Sequence, residues 1–156
     1  MNRFWEQRAI MSRHEGELRP ELLSRAESYA RRAVTLVRDS YSLTTLGVVL
    51  LAKAARSDET LLSAYYDDAM DQFEAAHELE TSDLVTWMAY LRHTLSVLER
   101  LMVIETTGDL QERIVDHWPR IYGQVSVATS SDVTQSDLRA LRRKFDAIET
   151  GAIPRD

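Results

Sequence analysis

Glu74 and His77 stand three residues apart, the E-x-x-H spacing with which helical bundles hold a pair of iron ions. Such a site needs a second E-x-x-H and two further glutamates. The chain offers one copy, so His77 reads as an exposed helix residue beside a packing Ala76. Asp67, Asp68 and Asp71 could face a divalent cation, but no glycine-bearing calcium loop surrounds them. Asp116 and His117 are adjacent, so on a helix their side chains diverge and do not form an acid–base pair by themselves. His93 follows Arg92 and has no carboxylate four residues to either side. His14-Glu15 runs into Gly16 and reads as a helix end rather than the start of a zinc-binding H-E-x-x-H. The phosphate-cradling G-x-x-x-x-G-K, the dinucleotide G-x-G-x-x-G and the nucleophile elbow G-x-S-x-G are all missing. No catalytic residue, metal or cofactor is expected. What the residue types favour is recognition.

The elements that would position these side chains follow from composition. The 156 residues are 44% hydrophobic and 28% charged, with only five Gly and three Pro. A chain of this length can bury one core, and its supply of Ala, Leu, Glu and Arg favours helix. There is no Cys, so disulfides and thiolate metal sites are excluded. The start MNRFWEQRAIM lacks the apolar centre of a signal peptide, and LGVVLLAKAA is too short to span a bilayer. A cytoplasmic location with no membrane contact is the default expectation. The net charge of −6 is unevenly spread. Residues 57–84 hold nine acids and no Lys or Arg, a block that repels nucleic acid and suits a basic protein partner. The stripe Arg139, Arg142, Arg143 and Lys144 lacks interleaved aromatics and is flanked by acids, which also argues against nucleic acid.

Apolar spacings of three and four predict helices over 2–14, 20–38, 42–56, 59–80, 83–106, 109–128 and 136–149. Segment 42–56 is apolar nearly all round, as a helix buried on several sides would be. Ser57 or Asp58 and Ser82 or Asp83 are the expected caps of the fourth and fifth helices. Thr106 to Gly108 should end the fifth, Pro119 should kink or split the sixth, ATSSDVTQSD should be a polar loop, and Gly151 and Pro154 should end the last. Short connections make successive helices antiparallel neighbours. An all-α fold of about seven helices is expected, with residues 1–128 as the helical core and 129–156 as a polar loop and a packing or capping C-terminal helix.

The seam AMDQFEAAHELETSDLVTW carries a more specific pattern. Ala69, Phe73 and Ala76 are small, large and small on one helix face, and Trp87 follows eighteen residues after Ala69. This resembles the tetratricopeptide repeat, whose second helix carries Ala-x-x-x-Phe and whose first carries an aromatic followed by Leu-Gly. Leu46-Gly47 match that Leu-Gly, with Leu43 in the aromatic slot. Ala26, Ala30 and Ala33 resemble another second helix, and Trp5 with Ala9 another first helix. The likeness covers roughly residues 3–105 and departs from the pattern in places. Leu43 and Trp87 are 44 residues apart, against about 34 in the repeat. Thr81 stands where a closing Pro is common, Ala89-Tyr90 follow Trp87 in place of Leu-Gly, and 109–128 lacks the signature.

The resemblance implies antiparallel helix pairs stacked as a short right-handed α-solenoid. It also implies a non-enzymatic interaction module, a scaffold, adaptor or sensor, similar to the helical-repeat portions of bacterial multidomain signalling and defence proteins. Such solenoids bind partner polypeptides on the face lined by their first helices. By register, the exposed candidates there are Arg8, Ser12, Thr44, Lys53, Tyr90 and His93. Asp67, Asp68 and Asp71 would add an acidic patch for a basic protein partner. Trp5, on a first helix without a polar outer face, would be covered by another domain of a larger assembly or by a second copy. A self-associating structural subunit is therefore the second reading, and a helical-bundle metal protein or enzyme the third.

Overall fold

Each helix begins where a side chain can occupy free backbone N–H groups or where the apolar spacing restarts. The computed structural model describes residues 2–18, 20–104 and 109–151, and among these there are seven α-helices, one 3-10 turn and no strand. Helix α1 spans Asn2–Leu18, the turn Pro20–Leu22, α2 Leu23–Leu36, α3 Ser40–Ala54, α4 Glu59–Leu79, α5 Val85–Val103, α6 Asp109–Ala128 and α7 Asp132–Thr150. The fold is all-α. Asp39 caps α3 by accepting from the Ser42 N–H at 2.7 Å, while Ser42 Oγ accepts from the Asp39 N–H at 3.1 Å. These reciprocal bonds form a capping box. Asp58, not Ser57, caps α4 through the Leu61 N–H at 3.0 Å. Gly151, at φ 72°, closes α7 in the left-handed conformation that glycine adopts without penalty.

Several expected boundaries shift for identifiable reasons. Helix α1 continues past His14 to Leu18, so His14-Glu15 lies inside a helix. The expected helix 20–38 opens as a 3-10 turn at Pro20. At the start of α5, Asp83 Oδ1 accepts from the Val85 N–H at 2.9 Å. That helix ends at Val103; the expected stop at 106–108 and Pro154 fall outside the described residues. Pro119 does not split α6, which stays helical from Asp109 to Ala128. Proline deletes one rung of the ladder, and the buried stripe Leu110, Ile114, Trp118, Ile121 and Val125 holds both sides in register. The polar loop shrinks to residues 129–131, because Ser131 accepts from the Thr134 N–H at 3.3 Å and starts α7 four residues early.

Helix α3 sits at the centre. It packs on α2 and α4 and reaches α1 and α5 as well, which explains why its sequence is apolar nearly all round. Consecutive helices pack along the chain, and alternate ones meet as well: α1 with α3, α3 with α5, α5 with α7. In the seam, Ala69, Phe73 and Ala76 are fully buried. Phe73 fills the space beside Gly47, where an added Cβ would lie 2.7 Å from its ring, and meets Tyr90 edge-on at 6.0 Å. Trp118 joins the last three helices. Its ring stacks on Phe145 at 4.3 Å, and its Nε1–H donates to the Leu91 carbonyl at 2.9 Å. No helix among the described residues is long and apolar enough to cross a membrane.

Candidate functional site

Two adjoining hollows lie along the odd-numbered helices. One basin of about 780 Å³ is lined by Arg13 of α1, by Ala52, Ala55 and Arg56 at the end of α3, and by His93, Ser96, Glu99, Arg100 and Val103 of α5. A second, of about 330 Å³, is lined by Ile10 and Arg13, by Ser40, Tyr41, Thr44, Thr45 and Val48, and by Asp83, Val85, Thr86 and His93. Arg13 and His93 belong to both, so the two basins form one continuous groove. The early residues of α3 and α5 line one end and the late residues line the other. The two helices therefore run the same way along the groove.

The two ends differ in chemistry. At the first, the described lining holds Arg13, Arg56 and Arg100 with Glu99, whose carboxylate lies 3.7 Å from the Lys144 ammonium of α7. Arg100 Nε is buried and has no hydrogen-bond partner among the described residues. At the other end the walls are Ile10, Val48 and Val85 with hydroxyl groups between them. Thr44 and Thr86 close this floor with a hydrogen bond of 2.8 Å between their hydroxyls. His93 stands at the junction. Burial, followed by the positive charges of Arg13 and Arg92 and the nearby His14 ring, pulls its pKa down to about 4. The ring is neutral at pH 7.

The structure separates the sequence candidates. Thr44 and His93 line the groove. Tyr90, expected to be exposed, is fully buried: its hydroxyl pairs with that of Tyr66 at 2.9 Å, and its ring packs on Phe73, Trp87 and His117. Ser12 is also buried, at 7% exposure. Lys53 is not a groove residue. Its ammonium pairs with Glu27 of α2 at 2.6 Å and lies over the Tyr65 ring of α4, with 14% of the side chain exposed. Arg8 turns toward α2, donating to the Tyr29 hydroxyl at 3.2 Å. Trp5 is half-buried within the chain, tilted against Tyr29 at 5.7 Å with the Arg32 guanidinium over its ring.

The acidic block is braced rather than bare. Asp68 pairs with Arg31 of α2 at 2.7 Å, and Asp67 pairs with Arg113 of α6. Asp71 is exposed and faces a hollow between α4 and α6 that also holds Glu74, Asp116 and His117. His77 is half-buried against Trp87, at 5.5 Å between rings, rather than exposed. Among the described residues no group of three His, Asp or Glu is arranged to hold a metal ion.

Sequence reading missed Arg13, Arg56 and Arg100. The stripe His93, Ser96, Arg100, Val103, spaced three, four and three along one face of α5, could have found Arg100, while no local signal marks Arg13 or Arg56. Comparison with protein-family models, with curated proteins and with solved structures found no match.

Proposed function

We propose that this chain is a tetratricopeptide-like interaction module whose groove along α1, α3 and α5 receives an extended segment of a partner polypeptide. The observation that carries this reading is the continuity of the groove, with walls drawn almost wholly from alternate helices. The packing pattern supports it. Odd-numbered helices meet one another directly, whereas α2 and α4, and α4 and α6, are bridged by the ion pairs Arg31–Asp68 and Arg113–Asp67. Helices close together on one side and splayed on the other are what a curved repeat stack requires. The groove offers guanidiniums, hydroxyls and apolar walls, which is binding chemistry, so a non-enzymatic role as adaptor, scaffold or sensor follows.

Self-association is the second reading, favoured by Phe4 at 55% and Met11 at 58% exposure on α1. A photo-crosslinking amino acid placed at Thr45, in the groove, and separately at Val127, which is 89% exposed on α6, separates the two. In cells, the groove position should give an adduct with a different polypeptide and Val127 should not. An adduct of doubled chain mass from Thr45 would favour self-association instead, and equal labelling from both positions would sink the groove.

A further inference from the structure

The two ends of the groove are unlike, and that difference specifies its occupant. Arg100 is a charged donor with a buried Nε and no acceptor among the described residues. Arg13 and Arg56 line the same basin. Glu99, an acid among the described residues of that lining, lies 3.7 Å from the Lys144 ammonium. A planar guanidinium with an unfilled site pairs best with a carboxylate, whose two oxygens match its fork. At the far end the walls are apolar, and Asp83 there is turned to the Val85 N–H.

Along α3 and the two residues that follow it, the apolar basin is lined from Ser40 to Val48 and the basic one from Ala52 to Arg56. The midpoints, near Thr44 and Ala54, stand roughly 15 Å apart at ~1.5 Å of rise per helical residue. An extended chain advances about 3.3 Å per residue, so it covers that distance in about four to five residues.

Resting on the reading of the groove as a peptide site, we propose that its occupant is a polypeptide segment with an acidic side chain seated against Arg100. About four to five residues away in that segment, an apolar side chain sits between Ile10, Val48 and Val85. The neutral ring of His93 lies between the two anchors and adds no third charge. Specificity is then set by the joint presence of acid and apolar anchors at this separation, since either alone fills half of the groove.

The test uses the full chain as bait for a displayed library of random peptides, followed by affinity measurements on the enriched sequences. Enriched peptides should share an Asp or Glu and a bulky apolar residue at the stated separation. Arg100→Gln should weaken them about tenfold or more, with partial recovery in Arg100→Lys, because a hydrogen bond to a charged partner is lost. Val85→Ser, at a position 60% exposed and so tolerant of change, should weaken them about threefold to tenfold. Arg139→Gln, on exposed α7 surface, should leave binding unchanged. Circular dichroism of every variant checks the fold. Enriched peptides without an acid, or with affinity indifferent to Arg100→Gln but reduced by Val85→Ser, would overturn the proposal and leave the groove in place. Peptides indifferent to both variants, or no enrichment, would remove the groove reading together with it.

Discussion

Replacing Gly47 by alanine should destabilise the chain, although alanine is the better helix former. In a solvated helix the change would stabilise by about 1 kcal/mol, because glycine loses more backbone freedom on folding. Here the new Cβ would meet three atoms of the Phe73 ring at 2.7, 2.8 and 3.0 Å. Phe73 cannot swing away easily. It is fully buried and meets Tyr90 edge-on, and the Tyr90 hydroxyl is itself held by Tyr66. Overpacking of this kind costs about 1–3 kcal/mol. The clash should therefore prevail, with a net loss of about 1 kcal/mol and a fall in Tm of roughly 2–4 °C for a chain of this size. A double-mutant cycle isolates the cause. In a Phe73→Leu background the ring is gone, so Gly47→Ala should become neutral or stabilising, read by urea denaturation and by thermal melts. If Gly47→Ala stabilises the wild-type chain, or shifts both backgrounds equally, the close approach of α3 and α4 is not what fixes glycine at this position.

Three further outcomes are expected. Ala76→Leu, at a fully buried position on the same face as Phe73, should lose about 1–3 kcal/mol, and an unchanged melt would contradict the packing of that seam. His93 has a folded pKa of about 4 against 6.5 ordinarily, so between those values the unfolded chain takes up a proton that the native chain refuses. Its contribution to stability is thus lost as pH falls from 6.5 to 4, by about 3 kcal/mol in all; His93→Gln should flatten that limb of the urea midpoint, and parallel slopes would refute the burial of its ring. Glu27 is penalised by burial, yet its hydrogen bonds from Lys53 and Arg31 outweigh that and lower its pKa. Glu27→Gln should then lose about 1–3 kcal/mol near neutral pH and little at pH values below its depressed pKa, whereas Asp68→Asn, at a more exposed pair, should lose under about 1 kcal/mol. Equal losses would mean that burial does not distinguish the two pairs.

The helices were legible because apolar spacing is local. The stripes Leu62, Tyr66, Ala69, Phe73, Ala76 and Leu110, Ile114, Trp118, Ile121, Val125 are buried as their three- and four-residue spacing requires. Boundaries were less so, since a cap such as Ser131 announces itself only through a hydrogen bond to a residue already helical. Side-chain direction was the weakest inference. Tyr90 and Lys53 lie on helices that line the groove, yet one faces Phe73 inside and the other reaches back to Glu27. Helical register gives the angle of a residue around its own axis. It does not say which neighbour occupies that angle.

Charge misled for the same reason. The block 57–84 reads as a single acidic face because its acids are consecutive in sequence. In the fold, Asp68 and Asp67 are met by Arg31 and Arg113, which lie 37 and 46 residues away. The groove shows the opposite case. Arg13, Arg56 and Arg100 stand 43 and 44 residues apart, so no window of sequence registers them as a cluster. Alternate helices that run side by side gather one from each into a single basin. On the proposed reading as a stack of helical units, the binding surface is made from single residues contributed once per unit, while the acids of α4 find partners on α2 and α6. In such a chain the place to look for the partner's chemistry is the recurrence of a residue type at the length of the unit, not its local density.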